Sequence, residues 1–143
     1  MKILIINGPN LNMLGKREPE IYGTTTLDDI NNRLSEFSKA VAGDIELEFY
    51  QSNIEGEMVS KIQSTDAQGL IINPAGYTHT SVAIPDAIKA VQISAVEVHL
   101  SNIQAREDFR KNSFISPACI GSVAGFGEDS YKMAILGLYN HLK

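Results

Sequence analysis

Two short, uninterrupted runs of leucine and isoleucine, Ile3 to Ile6 and Leu70 to Ile72, constrain this chain more than any other feature. Each is too brief for a helix, and each stops at a turn signal, Asn7-Gly8-Pro9 in one case and Asn73-Pro74-Ala75-Gly76 in the other. Apolar runs of this kind suit central parallel strands buried on both faces. Ile45 to Tyr50 alternates apolar and polar residues and reads as an edge strand, while Ile93 to Val98 and Ile120 to Ala124 supply two more strands. Between the strands the period changes to 3.6. Leu27, Ile30, Leu34, Phe37 and Val41 share one helix face, with Thr26 as cap, Asp28 and Asp29 at the positive end of the dipole and Gly43 as terminator. Ile54, Met58, Val59 and Ile62 mark a second helix. A third starts near Ser81, with Pro85 in its first turn and Ile84, Ala87, Ile88 and Val91 inward. A short polar helix is expected from Ala105 to Lys111, and Tyr131, Ala134, Ile135, Leu138 and Leu142 close the chain as a last helix. This alternation predicts a flavodoxin-like, three-layer α/β/α fold with a five-stranded parallel sheet in the order 2-1-3-4-5. With 143 residues and no linker or repeat, a single domain spanning 1–143 accounts for the chain.

Composition narrows the function. A net charge of -5 argues against a nucleic-acid surface, which needs a basic excess to displace counterions from phosphates. No stretch approaches the roughly 18 apolar residues of a membrane span, and the N-terminal apolar run is too short for a signal-peptide core. The single cysteine, Cys119, excludes an intrachain disulfide, fits a cytoplasmic protein, and reads as a small buried hydrophobe.

In sheets of this type, ligands sit beyond the carboxyl ends of the strands. After the first strand come Asn10, Asn12, Arg17 and Tyr22, inside a segment from Gly8 to Thr25 that reads as a long binding loop. After the third come Asn73, Thr78 and His79, with Asp86 in the following helix. After the fourth come His99, Ser101, Asn102, Arg106 and Arg110. Nucleotide motifs are missing. Gly15-Lys16 has Asn10 and Arg17 where a P-loop needs glycine and a hydroxyl residue, and neither G-x-G-x-x-G nor G-x-S-x-G is present.

Three groupings have competing readings. Glu97 and His99, two apart on a strand, share a face and could bind zinc with His79. The nearby arginines oppose a dication, and Glu97 is better read as the partner that orients an imidazole. Arg106 and Arg110, four apart in the expected helix, either flank an anion or belong to a solvated face supported by a Glu107–Lys111 pair. Tyr22, between Ile21 and Gly23, is by residue type more often packing than chemistry. As a base it would need its phenol ionised near neutrality, which takes roughly 4 kcal/mol of differential stabilisation, within reach of one or two guanidinium groups in a closed site.

Five motifs in order give the chain a family resemblance. They are Ile6-Asn7-Gly8-Pro9-Asn10-Leu11-Asn12, Leu14-Gly15-Lys16-Arg17-Glu18-Pro19 through Tyr22-Gly23, Asn73-Pro74-Ala75-Gly76-Tyr77-Thr78-His79-Thr80-Ser81, Glu97-Val98-His99-Leu100-Ser101-Asn102, and Ala105-Arg106-Glu107 with Phe109-Arg110. Together they resemble the type II 3-dehydroquinate dehydratases along nearly the whole chain. One departure is that many members read glycine then alanine where this chain has Ala75-Gly76. The resemblance implies a cofactor-free, metal-free elimination of water from 3-dehydroquinate through an enolate. Tyr22 would be the base, with Arg17 and Arg106 stabilising its phenolate. Asn10 would hold a water at the enolate, and His99 would be the acid, with Glu97 setting its tautomer. Asn73, His79, Arg110 and the backbone of Leu100 and Ser101 would bind the substrate, and Asp86 would reach the site of a neighbouring subunit in a homo-oligomer of trimers forming a dodecamer. Two other functions stay open on the residues alone, a zinc-dependent hydro-lyase and a non-catalytic module that binds an anionic metabolite. Exhaustive chelation separates the first from the elimination above, and turnover separates the second.

Overall fold

The structure is a computed structural model that describes every residue except Arg17 and Glu18, and only the backbone of Ile21 and Tyr22. Its centre is a five-stranded parallel sheet in the order β2-β1-β3-β4-β5, as expected, with β1 at Lys2–Asn7, β2 at Glu46–Gln51, β3 at Gly69–Asn73, β4 at Ser94–His99 and β5 at Gly121–Ala124. Ile3 to Ile6 and Leu70 to Ile72 have no exposed surface, which is why these stretches show no alternation.

Alternate residues of each inner strand serve opposite layers. Ile3, Ile5, Ile71, Val96 and Val98 pack with helices α2 (Leu27–Val41) and α5 (Asp129–Leu142), through Ile30, Leu34, Tyr131, Ala134, Ile135 and Leu138. Leu4, Ile6, Leu70, Ile72 and Ala95 pack on the other face with α3 (Glu55–Ser64) and α4 (Ala83–Val91), through Met58, Ile62, Ile84, Ala87 and Ile88. Each fully buried aliphatic side chain contributes about 1.5–3 kcal/mol. The edges differ from the centre: β2 carries Glu46 and Glu48 and is nowhere fully buried, and β5 has only 4 residues, starting with the exposed Gly121 and Ser122.

Thr26 caps α2 as predicted. Its hydroxyl accepts from the Asp29 N–H at 3.1 Å, and the Asp29 carboxylate accepts from the Thr26 N–H at 2.9 Å. Several helix ends differ from expectation. Gly43 does not terminate α2, because the chain leaves the helix through an extended Ala42 whose N–H still reaches the Ser38 carbonyl. Ile54 stands one residue before α3 and is exposed, and Val91, last in α4, is exposed as well. The 3.6 pattern identified the faces but extended one residue past the packed turns.

The segment from Gly8 to Thr25 is not structureless. It contains a 3-10 turn at Leu11–Met13 and a short helix, α1, at Pro19–Tyr22. Gly15, at φ 76, brings its backbone so close to the far end of the segment that a Cβ there would lie 2.6 Å from the Thr24 carbonyl oxygen. Gly8 is equally confined, since a Cβ on it would lie 2.6 Å from the Pro74 carbonyl oxygen. Gly8 lets the first and third strand ends meet, and Gly15 lets the two ends of the segment close on each other.

The Ala75-Gly76 order has a measurable cost. Ala75 takes φ 52, in the left-handed region, whereas Gly76 has no left-handed φ and open space where a Cβ would be. An alanine there is disfavoured by about 1–2 kcal/mol, part of which a glycine would return through its freer unfolded chain. We predict that Ala75→Gly raises stability by about 0.5–1 kcal/mol, read as a higher urea midpoint. A lower midpoint would contradict the strain assigned to Ala75.

Candidate active site

The carboxyl ends of β1, β3 and β4 carry two buried polar groups, one on each face of the sheet. On the α2/α5 face, Asn7 and Asn73 are register partners. The Tyr131 hydroxyl, projecting from α5, donates to Asn7 Oδ1 and accepts from Asn73 Nδ2 at 3.0 Å. Asn73 Oδ1 accepts from the Ala75 N–H at 3.1 Å, so this side chain also holds the strained turn. Burial pushes the Tyr131 phenol far above its ordinary pKa, outweighing the opposing hydrogen bond from Asn73, and the group is a neutral structural tyrosine. Asn73, expected at the substrate, therefore has its carbonyl oxygen and one amide bond committed to the protein.

On the other face, Glu97 and His99 point the same way from β4, as their spacing predicts. His99 Nε2 lies 2.6 Å from Glu97 Oε2, with the carboxylate 1% and the histidine 5% exposed. This contact places the proton on Nε2 and leaves Nδ1 for other partners. Glu97 Oε1 accepts from Ser113 Oγ at 2.6 Å and from Ser116 Oγ at 3.0 Å. Burial is the largest single influence on Glu97 and pushes its pKa up, but the hydrogen bonds from His99, Ser113 and Ser116 and the charge of His99 together outweigh it and hold the carboxyl below its usual range. Cys119 packs behind this cluster. Its own burial, and then the Glu97 charge, push the thiol up to about 12, so it stays neutral; the side chain is half-buried against the core rather than fully enclosed as the sequence suggests. Sequence reasoning missed Ser113 and Ser116. Ser-x-x-Ser signals only a turn, and contact with β4 is a tertiary fact.

The region from Ile103 to Lys111 corrects the expected helix. It forms two 3-10 turns, Ile103–Ala105 and Asp108–Lys111, separated by an extended Arg106. Arg106 and Arg110 do not share a helix face. Glu107 is the anion near both: its Oε2 lies 2.6 Å from Arg110 Nε and 4.0 Å from Arg106 Nε, while Lys111 pairs with Asp108 rather than with Glu107. The Arg110 guanidinium also sits 5.1 Å from the centre of the Phe109 ring. His79, in the 3-10 turn Ala75–His79 after β3, is held by the Asn112 carbonyl at 2.8 Å and meets Phe109 edge-on.

Asn10 has a left-handed backbone, its N–H donates to Asn53 Oδ1 at 3.0 Å, and its side chain is exposed. Gln51, the last residue of β2 and also unmarked in the sequence reading, donates to the Gly8 carbonyl at 3.2 Å and pins the start of the segment from Gly8 to Thr25. Leu100 is half-buried and Ser101 exposed, directly after β4. Asp86 is exposed in the first turn of α4 and makes none of these contacts. The roles expected of Arg17 and of the Tyr22 side chain fall outside the described residues. Among the described residues no three of His, Cys, Asp and Glu gather as metal ligands. Glu97 and His99 do meet, but His79 does not complete a triad, and the Glu97 oxygens are already occupied.

The fold and this pair define an α/β enzyme scaffold of flavodoxin-like topology, with an oriented imidazole at the carboxyl edge of its sheet. The sequence model of the family described as dehydroquinase class II matches residues 1–139, and the chain belongs to that family. It is 56% identical to a 3-dehydroquinate dehydratase of Geotalea daltonii, covering 100% of this chain and 99% of that protein. Crystal structures of type II dehydroquinases are similarly close. That from Butyrivibrio crossotus has a TM-score of 0.90 at 47% identity, covering 97% of each chain. That from Propionibacterium acnes has a TM-score of 0.87 at 42% identity, covering 97% of this chain and 96% of the other.

Because Glu97 has a depressed pKa in the folded state, its charge stabilises the fold above the unfolded value of 4.5, and that contribution is lost as pH falls through the lower folded value. We predict that Glu97→Gln costs on the order of 1–3 kcal/mol at neutral pH. Urea titrations at successively lower pH should show the gap from wild type narrowing once pH drops below 4.5. A gap that stays constant would contradict a buried, charged Glu97.

Proposed function

We propose that this chain, as one catalytic domain, converts 3-dehydroquinate to 3-dehydroshikimate by anti elimination of water, without a cofactor. The observation that carries the reading is the 2.6 Å contact between His99 Nε2 and the buried Glu97 carboxylate, at the sheet edge where ligands of such folds bind. Family membership supplies the substrate. A base removes the proton beside the ketone, the electron pair passes into an enolate, and the enolate expels the neighbouring hydroxyl as water once an acid protonates it. Tyr22 is the base in this proposal, with Arg17 and Arg106 favouring its phenolate. Asn10 holds a water that stabilises the enolate oxygen.

His99 is the acid. Its Nε2 is committed to Glu97, so Nδ1 delivers the proton, and the carboxylate is the counter-charge of the imidazolium. Asn73, through its remaining amide hydrogen, and His79, Arg110, Leu100 and Ser101 bind the ring and carboxylate. Arg106 and Arg110 have to exchange part of their pairing with Glu107 for the substrate anion. Asp86, exposed at the start of α4, reaches a neighbouring subunit's site in trimers assembled to a dodecamer. The reaction takes place in the cytoplasm and serves the shikimate pathway or quinate breakdown.

Mixing the protein with 3-dehydroquinate tests the reading directly, because the product is a conjugated enone with its own ultraviolet absorbance. We predict turnover that survives exhaustive chelation. We further predict that Tyr22→Phe lowers kcat by about 10²- to 10⁴-fold while ligand binding is retained. No enone from well-folded protein sinks the enzyme reading, and near-normal turnover by Tyr22→Phe removes that residue as the base.

A further inference from the structure

We propose that Ser113 and Ser116 are positioning residues for the proton-donating histidine, acting through Glu97; this rests on the reading of His99 as the acid. The sequence gives them no role beyond a turn, and neither touches His99. Ser113 Oγ accepts from two backbone N–H groups, Ile115 at 3.1 Å and Ser116 at 3.0 Å. A hydroxyl has one proton and two lone pairs. With both lone pairs taken by the turn, the Ser113 proton has one direction left, toward Glu97 Oε1 at 2.6 Å. That oxygen cannot carry a proton of its own, because it would face a hydroxyl with no acceptor to spare.

Ser116 adds a second donor to the same oxygen at 3.0 Å. Two hydroxyls on Oε1 fix the plane of the carboxylate, and with it the lone pair that Oε2 presents to the imidazole at 2.6 Å. The pair's shared proton is thereby kept on the histidine side, and the ring is held in one orientation. The device is built from tertiary contact: Ile115, between the two serines, is wholly buried in the layer formed by α3 and α4, so the turn cannot swing away from β4 without opening the core.

Ser116 provides the clean test, since among the described residues its hydroxyl only donates to Glu97, whereas removing the Ser113 hydroxyl also strands two backbone N–H groups. The full-length chain is assayed with 3-dehydroquinate as wild type, Ser116→Ala, Glu97→Gln, the double variant, and His99→Asn. Ser116→Ala should lower kcat on the order of 10-fold with KM changed by less than about twofold. In the Glu97→Gln background the same substitution should change kcat by less than about twofold, because the carboxylate through which it acts is gone. An unchanged kcat in Ser116→Ala, or the same factor in both backgrounds, overturns the proposal while an inactive His99→Asn leaves the acid assignment standing. A His99→Asn variant with near-normal turnover overturns both.

Discussion

A carboxylate kept charged inside a protein is expensive, and the end of β4 is organised around one. Removing an ionised group from water costs several kcal/mol even after relaxation, unless hydrogen-bond donors replace the solvent. At Glu97 three donors do so, two hydroxyls from the turn after residue 112 and one imidazole from its own strand. Their combined pull exceeds the effect of burial, and the carboxyl stays below its usual pKa. His99 gains its fixed ring orientation, and Cys119 its inertness, from the same charge and the same burial.

The opposite face of the sheet solves a related problem with neutral groups. Strand parity sends Asn7 and Asn73 toward α5, where Tyr131 closes a bridge between two strand ends and a helix. The carboxyl edge is thus anchored from both layers before any ligand arrives. Reactions that move protons over short distances gain from such anchoring, because donors aimed in advance need not reorganise as charge develops.

Most of the fold was legible because its signals are local and redundant. Ile3 to Ile6 and Leu70 to Ile72 could be little else than central strands, and five strands joined by helices leave few topologies. The Glu97–His99 pair was legible for the same reason, since alternation in a strand is strict. Failures cluster where side chains compete with the backbone. Between Ile103 and Lys111, Asn102 caps a 3-10 turn through the Gln104 N–H and Glu107 draws in both arginines, so polar residues that could have formed a helix form two turns instead. Asn73, at the end of β3, carries no local sign of its bond to Tyr131, which lies 58 residues away. Ser113 and Ser116 escaped notice for that reason too.

The two margins of the sheet bear on how copies of this chain meet. An unpaired strand is a template for another chain, and long, flat, apolar margins invite aggregation. Here β2 carries Glu46 and Glu48, the latter tied to Lys2 and Lys61, so a second β2 laid alongside would bring acidic groups into register. At the other margin β5 ends after 4 residues, too short to hold an incoming strand. Growth of the sheet across molecules is discouraged on both sides, and any contact between copies would fall to helices and turns rather than to strand edges.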